Sequence, residues 1–144
     1  MALIIVDSNI LIYSVDSTSP FHVKAKDWLE GLFSGSDRVG LPWVSVWSFV
    51  RITTNHRLFK RPLSVDAART VVSDWVSHPS CLMIEPGVRH FQILFDLVSK
   101  YQAAGPLLSD AVVAALALEH GGRLASTDQD FARFAVLDWI NPIG

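Results

Sequence analysis

The chain opens on a short unbroken run of apolar residues, Leu3 to Val6, that stops at Asp7. A run of that length without polar alternation predicts a strand buried on both faces, as in a parallel sheet. Past it the chain turns into the segment Asn9 to Tyr13, and then the period changes. Val23, Trp28, Leu29, Leu32 and Phe33 recur at helical spacing from His22 to Phe33, and Ser34-Gly35-Ser36 supplies the stop. Arg38 to Leu41 is a second short apolar run, and Pro42 stands where it hands over to a helix predicted from Trp43 to about Asn55. Ser64 is placed to cap a helix from Val65 to Val76, which ends near His78-Pro79. Leu82 to Ile84 predicts another strand, and Gly87 to Tyr101 an amphipathic helix. Ser109 is read as the cap of a helix from Asp110 to His120, with Gly121-Gly122 as its end. The strand Leu124 to Ser126 and a helical turn from Asp128 follow. Such alternation implies an α/β fold, a parallel sheet with helices on both faces.

Composition narrows the class. With 144 residues, half of them hydrophobic, the chain has enough for one well-buried core, so residues 1–144 are expected to form a single domain. A charged fraction of 18% and a mean hydropathy of +0.32 exclude a disordered chain. Ala111 to Leu118, the longest strongly apolar stretch, falls far short of the roughly 20 residues of a membrane span. The start of the chain has no basic region and reaches an acidic residue at once, unlike a signal peptide, so a cytoplasmic location is expected. Cys81 is alone and the five histidines lack zinc-site spacing, so neither a disulfide nor zinc is expected. A net charge of −2 offers no overall attraction to nucleic acid, so any RNA contact must rest on a local patch or a metal.

In open parallel sheets the functional crevice lies beyond the carboxyl ends of the strands. Asp7 ends the first predicted strand, Asp110 opens the helix before the last, and Asp128 and Asp130 follow the last. Each has an ordinary structural role open to it: a turn for Asp7, a helix-dipole partner for Asp110, a cap for Asp128. Together they imply more. Carboxylates within about 4 Å repel by roughly 4 kcal/mol at an effective dielectric of 20, so such a cluster wants a cation. An all-oxygen donor set suits Mg²⁺ or Mn²⁺. The segment after Asp110 is apolar all round, which predicts a buried helix that holds Asp110 by core packing.

These residues resemble the PIN-domain family and, within it, the virulence-associated protein C (VapC) toxins, over nearly the whole chain. The resemblance rests on Val6-Asp7-Ser8-Asn9-Ile10-Leu11, on Ser109-Asp110-Ala111 with Ala114-Ala115, and on Ser126-Thr127-Asp128-Gln129-Asp130-Phe131. The segments Gly40-Leu41-Pro42-Trp43, Phe49-Val50-Arg51 and Trp139-Ile140-Asn141-Pro142 add to it. It implies a three-layer α/β/α sandwich with a mostly parallel central sheet and an acidic pocket that takes Mg²⁺ or Mn²⁺ and cuts RNA. By that resemblance Asp7, Asp110 and Asp128 are the catalytic, metal-holding residues, Asp130 is a secondary ligand, and Asn9 and Ser126 give support. One element departs from the family pattern. Where most members carry a glutamate on the helix after the second strand, Val44 to Ser48 has no carboxylate, and Ser45 or Ser48 is left to fill the place. The resemblance also implies a small antitoxin partner and a homodimer.

Substrate grip is assigned to the one local basic cluster, Arg51, Arg57, Lys60 and Arg61, with a solvated helix end as the alternative reading. Trp43 and Trp47, four apart on one helix, offer a stacking surface, although core or dimer packing is the favoured expectation for them. His56 and His120 have no spacing that links them to the aspartates. Two other readings compete: a catalytically degenerate binding module on the same fold, and an Asp7-phosphorylated phosphotransfer protein. The second lacks a placed lysine after a later strand.

Overall fold

A computed structural model describes all of residues 1–144. Five strands form one sheet: β1 (Leu3–Val6), β2 (Arg38–Pro42), β3 (Cys81–Ile84), β4 (Arg123–Ala125) and β5 (Trp139–Ile140). Their order is β3-β2-β1-β4-β5, and every pairing is parallel. Six α-helices complete the fold: α1 (Ser8–Val15), α2 (His22–Ser34), α3 (Trp43–Thr53), α4 (Val65–Val76), α5 (His90–Tyr101) and α6 (Leu108–His120).

Strand alternation sorts the sheet's side chains into two cores. Ile4, Val6, Val39 and Leu41 meet Ile10 and Leu11 of α1, Leu29 of α2, and Val46 and Phe49 of α3. Ile5, Ile84 and Leu124 point the other way, against Leu97 of α5 and the alanine-rich α6. The result is the three-layer α/β/α sandwich that the alternation and the resemblance imply. No helix is long and apolar enough to cross a membrane.

Gly40 sits in β2 between β1 and β3, hemmed in by side chains of both neighbouring strands. A Cβ there would lie 2.9 Å from Ile5 Cγ1, 3.1 Å from Ile84 Cγ1 and 3.2 Å from Leu3 Cδ1. Gly40→Val is therefore expected to destabilise the protein by about 1–3 kcal/mol through overpacking. Urea unfolding of the variant measures this, and an unchanged midpoint would mean that the layer has room to spare.

Several elements differ from expectation. The segment after Asp7 is a two-turn helix, α1, with Asp7 as its N-cap: Ser8 N donates to Asp7 Oδ1 at 2.9 Å. Ser109 does not cap α6. Gly105–Leu107 forms a 3₁₀ turn that leads straight into the helix, so α6 begins at Leu108 and Ser109 lies within its first turn. Gly87 to Arg89 precede α5 as a turn, their amides at Gly87 and Arg89 donating to the Glu119 carboxylate at 2.9 and 3.0 Å. Residues Trp139–Ile140 form an edge strand that their apolar pattern is too short to announce. Ser64 does cap α4, accepting from Ala67 N at 3.0 Å.

From β1 the chain steps outward to β2 and β3, then returns to the far side of β1 with β4. The strand order reverses between β1 and β4, and in such sheets the crevice opens beyond the carboxyl ends at that reversal. Asp7 and Ser126 are the first residues past those two ends, joined through Asp7 N donating to Ala125 O at 3.0 Å.

Candidate active site

A polar cavity of about 180 Å³ opens at this reversal point, lined by Asp7, Ser8, Asn9, Val44, Ser45, Ser48, Ser109, Asp110, Val113 and Asp128. Four elements meet there. Asp7 comes from the end of β1, Ser45 and Ser48 from α3, Asp110 from the first turn of α6, and Asp128 from the loop after β4. One carboxylate oxygen each from Asp110, Asp128 and Asp130 lies within 4.8 Å of the other two. Asp130 is exposed and stands outside the cavity lining.

Ser126 is the hub behind the cavity. Fully buried, its hydroxyl donates to Asp7 Oδ2 at 2.7 Å and accepts from Asn9 Nδ2 at 3.0 Å and Asp128 N at 3.1 Å. Asn9 Nδ2 also reaches Asp7 Oδ2 at 3.3 Å, and Asn9 Oδ1 accepts from Thr127 N at 3.3 Å. The Ser126 carbonyl accepts from Trp139 Nε1 at 3.0 Å, which ties the hub to β5. Every donor group of the network is thus paired, while the Asp7 and Asp128 carboxylates keep free acceptor sites. The ordinary roles weighed for two aspartates hold as well: Asp7 caps α1, and Asp128 caps the 3₁₀ turn Gln129–Arg133 by accepting from Asp130 N at 2.9 Å.

The electrostatics of the cavity are those of crowded acids. Burial pushes the Asp110 carboxyl up to about 6, the negative charges of Asp128, Asp7 and Asp130 add to that, and Arg133 opposes it. Asp7 is 9% exposed, and burial raises it too; the bonds from Ser126 and the Ser8 amide pull it back, and Asp128 adds to the rise. Asp110 gains from the positive end of α6, whose first turn it occupies, but that end does not cancel three neighbouring acids.

Sequence reasoning placed Asp7, Asn9, Ser48, Asp110, Asp128 and Ser126 at one site, and the structure brings them together, with Asp130 beside them. It does not bring the basic cluster into the cavity: Arg51, Arg57, Lys60 and Arg61 are all exposed and none lines it. Arg133 was missed as the cation acting on Asp110, although its place three residues after Asp130 was a readable signal. Core packing within the chain fails for Trp47, which is 64% exposed. Its ring lies 6.5 Å from that of Trp43, 36% exposed, with their planes 27° apart. This pair lines an apolar groove with Val44, Ile84, Pro86, Val112 and Leu116, and Val44 is shared with the acidic cavity.

The fold is an α/β/α sandwich with aspartates clustered at the reversal of its parallel sheet, and comparison with known proteins is specific. The chain belongs to the PIN domain family, which it matches over residues 4–137. It is 44% identical to Ribonuclease VapC37 of Mycobacterium tuberculosis, the match covering 96% of each chain. Ribonuclease VapC33 of the same species is 36% identical, with 98% of this chain and 99% of that one covered. Among solved structures, VapBC2 from Rickettsia felis, bound to a DNA fragment from its promoter, superposes with a TM-score of 0.72 at 12% identity, covering 96% of this chain and 98% of that one. Mycobacterium tuberculosis VapC20, described as a sarcin-ricin loop cleaving toxin, gives 0.68 at 13% identity, covering 94% and 97%.

Proposed function

We infer that residues 1–144 form one nuclease domain, the toxin of a type II toxin–antitoxin pair, which hydrolyses RNA phosphodiester bonds with Mg²⁺, or Mn²⁺ in its place. The observation that carries this is the shared cavity of Asp7, Asp110 and Asp128, in which burial, with the neighbouring negative charges adding to it, makes Asp110 hold its proton to about pH 6. An all-oxygen donor set of that kind fits a hard divalent cation. Bound there, the cation would supply neutralisation of charge on the non-bridging oxygens of the scissile phosphate.

The protein's own part is positioning. Asp7, Asp110 and Asp128 are the groups to hold the cation, with Asp130 as a further oxygen at the edge. Ser126 and Asn9 fix the direction in which Asp7 presents its carboxylate. Because α6 is buried, Asp110 is supported by packing and not by a mobile loop. Arg51, Arg57 and Arg61 are exposed and available to bind flanking phosphates of the RNA, acting in the cytoplasm. The Trp43–Trp47 groove beside the cavity is a surface for an antitoxin segment, and the toxin itself is expected to pair as a homodimer.

The test is incubation of the purified protein with a mixed RNA pool. Cleavage should occur with Mg²⁺, stop with EDTA and return with added Mn²⁺, and Asp7→Ala should remove it. Metal binding without any cleavage would favour the degenerate binding module instead, a reading to which the absence of a carboxylate on α3 lends weight.

A pH dependence follows. The Asp110 carboxyl has a folded value raised above its ordinary 3.8, so its contribution to stability is present below about 3.8 and lost as pH rises through about 6. Asp7 acts in the same direction. A cation competes with those protons. Mg²⁺ should therefore raise the thermal midpoint more at pH 7.5 than at pH 5. Equal increments at both pH values would remove the carboxylates from the binding event.

A further inference from the structure

The buried polar residues of this protein are Asp7, Ser14, Ser45, Thr53 and Ser126, and four of them are partnered. Ser14 Oγ donates to Leu11 O at 2.6 Å, and Thr53 Oγ1 to Phe49 O at 2.8 Å. Asp7 and Ser126 bond each other. Ser45 alone is different. It is 2% exposed, and its hydroxyl has no hydrogen-bond partner. Native structures rarely leave such a group unmet, because burying it unpaired costs stability that an alanine would not.

The position of Ser45 gives the reason. It sits in the first turn of α3, on the wall of the cavity that also holds Asp7, Asp110 and Asp128. The other side-chain hydroxyls contributed by α3 and α6, Ser48 and Ser109, are half-buried and exposed, so solvent already serves them. A buried, unpaired donor on the wall of an acceptor-rich cavity fits a small polar occupant. Mg²⁺ and Mn²⁺ sites of few carboxylates keep several waters, and such waters need partners in the surrounding shell.

We propose that Ser45 is a positioning residue for the divalent cation, its hydroxyl hydrogen-bonding a water of the cation's coordination shell from the α3 wall. This rests on the reading of the cavity as a divalent-cation site, and it selects Ser45 over Ser48 as the group that stands in on the helix lacking a carboxylate. The hydroxyl is neutral, so it orients the hydrated ion without adding charge; the aspartates supply the attraction, and the hydroxyl strengthens binding by holding a water of the shell in place.

Calorimetric titration with Mn²⁺ alone at pH 7.5 tests this on the full chain, with no RNA present. Wild type should bind; Ser45→Ala and the nearly isosteric Ser45→Cys should each bind about tenfold more weakly. Their metal-free thermal midpoints should match or exceed that of wild type, because an unpaired polar group has gone. Ser14→Ala, which removes a partnered hydroxyl that does not line the cavity, should lower the metal-free midpoint and leave Mn²⁺ affinity unchanged. Equal Mn²⁺ affinity in wild type and both Ser45 variants would overturn the assignment while leaving the cation site standing. So would weaker binding accompanied by a lowered metal-free midpoint in both, which is the mark of a packing role. A wild-type protein that does not bind Mn²⁺ would overturn the cation reading itself and this assignment with it.

Discussion

Replacing Asp110 by asparagine is expected to abolish RNA cleavage, by about 10³-fold or more, while making the metal-free protein more stable at pH 7.5. The rate loss follows from losing several kcal/mol of charge stabilisation at about 1.4 kcal/mol per factor of ten. The gain in stability follows from the crowding. Burial and the charges of Asp128, Asp7 and Asp130 hold the Asp110 carboxyl up to about 6, so at pH 7.5 the folded state carries an ionised group that it disfavours. Asparagine keeps the shape and removes the charge. Stability and activity therefore move in opposite directions, as they do where a site stores repulsion for a ligand to relieve. Thermal unfolding in EDTA and a cleavage time course on the same preparation read both effects. A variant that cleaves normally, or that loses metal-free stability, would show that Asp110 is there to hold α6 in place.

Ser126→Ala carries the second large effect. Its hydroxyl serves Asp7, Asn9 and the Asp128 amide at once, at 2.7, 3.0 and 3.1 Å, in a position closed to solvent. Removing it leaves the part-buried Asp128 amide unpaired and Asp7 short of its best donor, which should cost about 1–3 kcal/mol of stability. Cleavage should fall by about 10- to 100-fold, the usual consequence of removing a group that orients a metal-holding side chain. The informative readout is the pH profile. The Ser126 bond is what chiefly restrains the upward shift of Asp7, so its loss should move the acid limb of the profile to higher pH. A merely structural serine would lower activity at every pH alike. Ser126→Thr, which keeps the hydroxyl, should restore the profile even if it packs less well.

The sequence carried the frame of this site because its signals are local. The apolar run before Asp7 has no alternation, and the alanine-rich stretch after Asp110 has no polar face, so both mark buried elements with an acid at one end. The sheet's parallel order then brings those ends together. What was hidden depended on neighbours in space. The segment Asn9 to Tyr13 shows no period of its own because its apolar run, Ile10 to Tyr13, is only four residues long, and Asp7 starts the helix there by capping it. Ser109 carried a capping side chain, but the preceding Gly105–Leu107 turn already runs into the helix and leaves no cap position for it. β5 is two residues long and exists because Leu124 N and Ser126 N donate to Asp138 O and Ile140 O at 2.8 and 3.0 Å. Nothing in the chain's pattern distinguishes Ser45 from Ser48; only burial does. The basic residues could be named but not placed, since exposed side chains obey no packing rule that a sequence records.

If the proposed function holds, the ends of β1 and β4 and the first turn of α6 make one divalent-cation site. A crystal soaked in Mn²⁺ at pH 7.5, measured where manganese scatters anomalously, addresses it without any assumption about the RNA. One strong anomalous peak is expected in the cavity, with carboxylate oxygens of Asp7, Asp110 and Asp128 around it, the inner ones at about 2.1 Å. A cavity with no peak, or a peak that Asp110 and Asp7 do not share, would contradict it.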